Sequence, residues 1–461
     1  MKQYDAIVIG SGQAGGPLAK KLALAGKKTA LIEKRWVGGT CINDGCTPTK
    51  TMVASAKMAY MAANAEPLGV TIKKFSVNMP QIRKRKDEVV HQFRNGSQKG
   101  LESTRNLDLI FGDATFTAEK TILVKLNSGR EKEFKADLFI INTGAKTIIP
   151  DMEGLADIDY LTSTTVLDLE AVPEHLLIIG GNYIGLEFGQ MFRRFGSKVT
   201  ILEKSDRIVS REDADISEEL TQILKAEDIN IYTKTTATSF KKKVSGKISA
   251  VISVDGKEEK IKCTHVLIAV GRSPQTATLG LDKTGVEIDE HGAIRTNYKL
   301  ETSAPGIYAL GDVKGGAAFT HISYNDYTIV YRNLIENADL SIKDRQVPYC
   351  MFTDPQLGRI GLSETEAKKR GINYKVAKIP NTWVARAIET SDTRGFMKAI
   401  VDTDTKQILG AAILGAEGGE IMTILQMAMA GGITYEQIRY FVFAHPLFAE
   451  SLNNLFMALE E

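Results

Sequence analysis

The chain has 461 residues, enough for roughly three domains of about 100–200 residues each. Its 58 Lys and Arg nearly balance 56 Asp and Glu, which gives nucleic acid or an anionic membrane no electrostatic hold. The apolar fraction of 43% and charged fraction of 25% are those of an ordinary globular protein. No apolar run approaches the ~20 residues of a membrane helix, and no charged-then-apolar leader precedes Gly10, so a cytoplasmic setting is expected.

The first elements predict a nucleotide-binding βα unit. Tyr4 to Ile9 reads as a strand, Gly10-Ser11-Gly12-Gln13-Ala14-Gly15 as a tight turn, Pro17 to Ala25 as a helix, and Lys28 to Ile32 as a second strand ending at Glu33. Gly10, Gly12 and Gly15 let backbone amides approach a pyrophosphate at the helix N-terminus, and the carboxylate accepts bonds from a ribose. The bland alternative is a βα turn that binds nothing.

Residues 38 to 50, Gly-Gly-Thr-Cys-Ile-Asn-Asp-Gly-Cys-Thr-Pro-Thr-Lys, give two thiols different settings. Cys46 precedes Thr47-Pro48, which predicts an N-cap and a proline at the first helical position. The run Thr49 to Ala63 continues that helix, so Cys46 sits at its positive end, where a thiolate is stabilised. Lys50 lies four residues on, one turn up the same face. Cys41 is expected in a loop loosened by Gly38, Gly39 and Gly45. One sulfur is placed to be held as an anion and the other to attack. A structural disulfide is the bland alternative; a closed metal site wants about four ligands, and Cys263 and Cys350 are single and distant. Asp44, between the thiols, is expected to bias acceptors toward cations or neutral disulfides, or else to be a solvated loop acid.

Further along, Arg83 to Lys86 predict a solvated face of a long polar helix. Leu138 to Asn142, before Thr143-Gly144-Ala145, reads as a strand, and Asp151 to Pro173 as a linker. The nucleotide-binding unit then recurs: strand Leu176 to Ile179, turn Gly180-Gly181-Asn182-Tyr183-Ile184-Gly185, helix Leu186 to Phe195, strand Lys198 to Leu202, then Glu203. In both copies the acid falls 23 residues after the first glycine. Val266 to Val270 is another strand, before Gly271-Arg272-Ser273-Pro274, and Gly306 to Asp312 a short strand ending in an acid. From about Val347, alternating segments and Gly-bounded helices predict a third, α+β domain. Met422, Met427 and Met429 recur at helical spacing, which favours core or subunit packing.

Two copies imply two different dinucleotides. The first leads directly into the cysteine loop, and a flavin exchanges electrons with both a nicotinamide and a dithiol, so FAD is expected in the first copy and NAD(P)H in the second.

With the dithiol loop, the two glycine turns and Gly311-Asp312, the chain resembles the class I pyridine nucleotide-disulfide oxidoreductases, or flavoprotein disulfide reductases. Cys-Thr-Pro-Thr-Lys and Phe319-Thr320-His321-Ile322-Ser323 look most like mercuric-reductase-like members, and the chain also resembles dihydrolipoamide-dehydrogenase-like ones. The resemblance implies an α/β fold: two Rossmann-like dinucleotide-binding domains, FAD-binding over 1–150 and 273–346 and NAD(P)-binding over 151–272, plus a C-terminal α+β dimerisation domain over 347–461.

It also implies roles. Cys46 would be the flavin-facing thiol, Cys41 the interchange thiol, and Lys50 would pair with Glu187 beside the flavin. Tyr183 would cover the flavin until nicotinamide displaces it. Glu33 would hold the adenosine ribose and Asp312 the ribityl chain. Gly39, Thr40, Thr143, Gly144, Gly311, Gly271 and Arg272 would line the FAD side, and Gly180, Gly181, Ile184, Gly185 and Glu203 the nicotinamide dinucleotide. NADH is preferred, because Glu203 repels a 2′-phosphate. Phe443-Ala444-His445-Pro446-Leu447-Phe448-Ala449-Glu450 matches the acid–base pair that the family supplies across a homodimer interface, with Pro446 starting a helix that lets Glu450 orient His445.

The activity so implied passes electrons from NAD(P)H through flavin to Cys41–Cys46 and on to a small-molecule disulfide or soft-metal acceptor. The alternatives are NAD-dependent oxidation of dihydrolipoamide and, from another class, a flavin redox sensor that does not turn over. No metal is expected as a resident cofactor. Asn182 stands where the second turn usually has glycine, and its tolerance of left-handed backbone is expected to preserve binding. The chain shows neither the cysteine-bearing N-terminal module nor the C-terminal cysteine pair of true mercuric reductases, so mercuric ion is not the expected native acceptor.

Overall fold

A computed structural model describes residues 2–244, 246–254 and 256–459, which group into two compact units. The first comprises the described residues up to Thr51 with Arg83–Ile148 and Gly271–Arg345. Its centre is a parallel sheet in the order Leu107–Ala118, Thr29–Glu33, Lys2–Ile9, Glu131–Ile141, Ile307–Ala309. Thr121–Leu126 runs antiparallel to the long strands Leu107–Ala118 and Glu131–Ile141. A strand buried on both faces carries apolar residues at successive positions. Lys2–Ile9 does so: Ile7 and Ile9 enter one core cluster, Ala6 and Val8 another. Leu18, Ala19 and Leu22 of helix Gly15–Leu24 and Val330 of helix Thr320–Ile335 close the second cluster.

The second unit comprises Met52–Ile82, Ile149–Val270 and the described residues from Gln346. A four-stranded parallel sheet runs His265–Ile268, His175–Ile179, Lys198–Leu202, Ile229–Tyr232. Beside it lies an antiparallel meander of Thr235–Lys242, Ile248–Val254 and Lys257–Cys263. The C-terminal part is a five-stranded antiparallel sheet, Tyr349–Met351, Gln356–Gly361, Ile408–Gly415, Phe396–Asp402, Tyr374–Pro380. Helices Gly418–Ala430, Tyr435–Arg439 and Ser451–Met457 bury Leu425, Ile438, Leu455 and Phe456 in its core.

Local details differ from expectation. In helix Met79–Glu102, Lys86 is buried and pairs with Asp87 at 2.6 Å, so the basic run Arg83–Lys86 is not wholly a solvated face. Met422 is buried whereas Met427 is 71% exposed, so only part of that methionine series is core. No helix among the described residues is long and apolar enough to cross a membrane.

Candidate active site

Glycines shape the approach to the thiols. Gly38 adopts φ +98°, and a Cβ there would press on the Ile42 side chain. Cys41 lies in a short helix, Gly39–Asn43, rather than a free loop. The next helix begins at Cys46 itself, with the Thr49 amide donating to the Gly45 carbonyl at 3.1 Å. Pro48 is thus its third residue rather than its first. Cys46 keeps its place at the positive end of an 18-residue helix.

Neither cysteine is in a disulfide; Cys46 is exposed and Cys41 partly buried. Sγ of Cys46 lies 3.4 Å from Oγ1 of Thr320. The hydrogen bond with Cys46 and burial push the Cys41 thiol far up, against the opposing pull of the Thr320 hydroxyl and the Lys50 charge. Cys41 is therefore the sulfur of the pair that holds its proton. Asp44 is not an open charge, because it forms an ion pair with Arg35. The intercysteine residue Asn43 donates to the carbonyls of Val37 and Gly39 and accepts from Nε of Arg94 at 2.6 Å, while the Arg94 guanidinium stacks 4.5 Å from the Trp36 ring centroid.

The first glycine turn has Gly10 at φ +99°, where a Cβ would collide with the Asn142 carbonyl. Asn142 Oδ1 accepts from the Gly15 amide at 2.9 Å. Glu33 takes the Ser11 amide at 3.0 Å, the Ser11 hydroxyl at 2.7 Å and the Arg35 amide at 2.8 Å. Gly39 approaches so closely that a Cβ there would stand 2.8 Å from Cα of Gly12, with Thr40 following in the short helix. Burial raises the Asp312 carboxyl, and Arg272 (3.9 Å away) and Lys314 oppose that rise. Gly311 has φ +71° and donates its amide to Asp326 at 2.9 Å. Strand Arg272–Pro274 pairs with Ala145–Thr147 just after Thr143-Gly144, and Gly271 accepts from the Ile148 amide. Nε of Arg272 is buried and has no hydrogen-bond partner among the described residues. An open glycine cradle, a ribose-type carboxylate and an orphaned buried guanidine N–H fit FAD.

The second turn repeats the first. Gly180 has φ +115°, and a Cβ there would collide with the Ala269 carbonyl. Glu203 accepts from the amides of Gly181 and Ser205, both at 2.8 Å, as Glu33 does from Ser11 and Arg35. Tyr183-Ile184-Gly185 opens the helix Tyr183–Phe195. Asn182 is not left-handed: it is an extended N-cap at φ −103°, and its Oδ1 accepts from the Tyr183 amide at 2.8 Å. The glycine normally there is not required by backbone conformation. The same cradle-plus-carboxylate chemistry fits a nicotinamide dinucleotide.

Lys50 belongs to the first unit and Glu187 to the second, where Glu187 is buried and accepts from the Phe352 amide at 2.8 Å. His445 and Glu450 come together as expected, Nδ1 to Oε2 at 2.9 Å. The local reason differs: Pro446 starts no helix, and Glu450 ends the short 3₁₀ turn Phe448–Glu450. Sequence reasoning gave no role to Thr320 or Arg94. Thr320 lies 274 residues from Cys46, so no local pattern signals that contact. Among the described residues, no three His, Cys, Asp or Glu side chains form a metal site.

Family models match nearly the whole chain: pyridine nucleotide-disulphide oxidoreductase over residues 4–338 and its dimerisation domain over 347–456. The chain is 38% identical to the probable pyridine nucleotide-disulfide oxidoreductase RclA of Escherichia coli K12, covering 99% of each. It is 35% identical to a mercuric reductase of Staphylococcus aureus, over 94% of this chain and 78% of that one. It is 34% identical to a dihydrolipoyl dehydrogenase of Thermus scotoductus, over 100% and 98%. A solved Cu(II) complex of the HOCl-induced flavoprotein disulfide reductase RclA from E. coli superposes with a TM-score of 0.91 at 37% identity, over 99% of both chains.

Proposed function

We propose, for a chain that belongs to the pyridine nucleotide-disulphide oxidoreductase family, that NADH electrons reach the Cys41–Cys46 pair and leave it for a small disulfide or a thiophilic metal ion. The chain is an NAD(P)H-dependent, FAD-containing disulfide reductase. The observation that carries the finer reading is the thiol pair, with Cys46 at a helix start against Thr320 and Cys41 held protonated beside it.

Bound FAD supplies two-electron exchange between a nicotinamide and a dithiol. Gly10, Gly12, Gly15, Glu33, Gly39, Thr40, Thr143, Gly144, Gly271, Arg272, Gly311 and Asp312 would hold that cofactor. Gly180, Gly181, Tyr183, Ile184, Gly185 and Glu203 would hold the nucleotide. Cys41 loses its proton and attacks one acceptor sulfur, and the first thiol leaves. Cys46 then attacks Sγ of Cys41, releasing the second thiol and closing the Cys41–Cys46 disulfide. Two electrons from NADH restore the dithiol, so the balance is NADH + H⁺ + RSSR → NAD⁺ + 2 RSH.

The proton on Cys41 needs a base. His445, oriented by Glu450, supplies it across a homodimer interface. Tyr440, Phe441, Val442 and Leu447 support that placement, because they leave an apolar face open around it. NADH is preferred, since Glu203 presents a carboxylate where NADPH carries a phosphate, and like charges in contact cost several kcal/mol.

The mercuric reductase and the Cu(II) complex of RclA among the similar proteins support a metal ion as substrate; the dihydrolipoyl dehydrogenases support the reverse reaction on dihydrolipoamide. Steady-state oxidation of NADH and NADPH, run against neutral and charged disulfides, Cu(II) and Hg(II), tests the reading. Sustained acceptor-dependent turnover with higher kcat/KM for NADH is expected. One round of reduction followed by a stall with every acceptor would contradict it and favour a sensor.

A further inference from the structure

The segment after strand Lys198–Leu202 is held under strain. Val209 is buried in the core and adopts φ +41°, a left-handed backbone that a β-branched residue rarely takes. Its amide donates to the Gly181 carbonyl at 2.9 Å, and the Gly181 amide in turn donates to Glu203 at 2.8 Å. Ile208 lies so close that a Cβ on Gly181 would stand 3.0 Å from its Cγ2. The Val209 turn thus backs the second glycine of the nucleotide turn. At its other end the Glu212 amide donates to the Val209 carbonyl at 2.8 Å. The Glu212 carboxylate is buried. Its Oε2 lies 3.3 Å from Nε of buried Arg359 in strand Gln356–Gly361, without an aligned hydrogen bond among the described residues. Arg359 is itself anchored, by donating to the Ile360 and Ala411 carbonyls.

We propose that Glu212 and Arg359 are positioning residues: their ion pair pins the strained Val209 turn against Gly181 and so keeps the glycine turn in the form that accepts the nicotinamide dinucleotide. This rests on the nucleotide reading of Gly180, Gly181 and Glu203 above. A buried ion pair adds little net stability, because desolvation offsets attraction; its effect here is to select one arrangement. The charged groups that face Glu212 are Arg359, Asp213 beside it and Glu366 of helix Glu364–Lys369, with Lys398 reaching Asp213 from behind. Burial pushes the Glu212 carboxyl up to about 7, against the pull of Arg359 and with the help of Asp213 and Glu366. Above that pH both partners are charged and the turn is pinned. Below it Glu212 takes a proton, the attraction is lost, and Val209 is free to relax toward ordinary backbone. A smaller competent fraction raises the apparent dissociation constant in proportion.

The test follows flavin reduction by NADH in stopped flow, from about pH 5.5 to 8.5, in the holoenzyme and its variants. In the parent, the half-saturating NADH concentration should rise about tenfold as pH falls through about 7, the scale of one hydrogen bond to a charged group, with no matching change in limiting rate. Glu212→Gln, neutral at every pH, should show the weak value throughout. Its melting temperature at about pH 8 should not fall, because no charge is then buried at that position. Val209→Gly removes the strain, since glycine accepts left-handed backbone at no steric cost. In that background Glu212→Gln should change half-saturation less than about twofold. Parent-like, pH-dependent half-saturation in Glu212→Gln, or an equal effect in both backgrounds, overturns the proposal. A parent whose flavin NADH does not reduce would refute the nucleotide reading, and the proposal with it.

Discussion

Nδ1 of His445 stands 2.9 Å from Oε2 of Glu450, which fixes the imidazole with Nε2 directed away from the carboxylate. A ring so held can take a proton at Nε2 while the acid stabilises the resulting imidazolium. His445→Gln is therefore expected to slow disulfide reduction by about 10²–10⁴-fold, the usual worth of a positioned base. Reduction of the bound flavin by NADH should keep the parent rate. Stopped-flow separates the two steps; equal losses in both would show a structural role.

The two glycine turns should fail independently. Gly10 and Gly180 each occupy a left-handed conformation against a carbonyl, of Asn142 and Ala269 respectively, so neither admits a methyl group without backbone movement. Gly10→Ala is expected to yield protein depleted of flavin, read from its visible absorption. Gly180→Ala should retain flavin, remain reducible by dithionite, and lose reduction by NADH. Flavin loss from Gly180→Ala rather than Gly10→Ala would reverse the assignment.

Stability at the extremes of pH should follow a buried ion cluster. Lys398 is 3% exposed at its side chain and lies within 3.2 Å of Asp213, Asp215 and Glu364. Burial alone would raise the Asp213 carboxyl, but the Thr365 amide and hydroxyl, the Glu364 amide and Lys398 outweigh it and hold it at about 2. A carboxyl depressed on folding stabilises the fold above its unfolded value of about 3.9, and that contribution fades as pH falls toward 2. Lys398 is raised: burial opposes its charge, and Glu364, Asp215 and Asp213 win. Its contribution is complete below about 10.4 and fades at higher pH. Lys398→Ala should cost about 1.5–3 kcal/mol, because it removes the cation from buried Asp213, which keeps its Thr365 and Glu364 hydrogen bonds, while Asp215 keeps Lys378. Thermal melts at pH 7 and pH 3 check this: the gap between variant and parent should narrow at pH 3.

The features legible in the sequence were those fixed by backbone sterics at short range. Gly10 and Gly180 announce their turns because no other residue fits, and Glu33 and Glu203 follow at the distance a strand–turn–helix–strand unit sets. Phe443–Glu450 showed its imidazole and carboxylate through the family resemblance, since the helix expected from Pro446 is replaced by the 3₁₀ turn Phe448–Glu450. Helix starts were less legible: Thr47-Pro48 has the form of a cap, yet the helix begins at Cys46 because Gly45 offers its carbonyl. The Asn182 conformation misled because its side chain caps the helix instead of turning the backbone. Contacts made across the chain, Thr320 to Cys46 and Arg94 to Asn43, left no trace in sequence spacing. The Arg35 partner of Asp44 was nine residues away, but its direction depends on how the short helix Gly39–Asn43 lies.

The division of labour between the thiols is tested most directly by visible absorption spectra of two single variants. In Cys41→Ser, Cys46 remains as a thiolate at its helix start with no partner for oxidation, so a long-wavelength charge-transfer band with the flavin should appear in the resting protein. In Cys46→Ser that band should be absent, while NADH still reduces the flavin, and both variants should lose disulfide reduction. A band in Cys46→Ser and none in Cys41→Ser would reverse the roles and contradict the account.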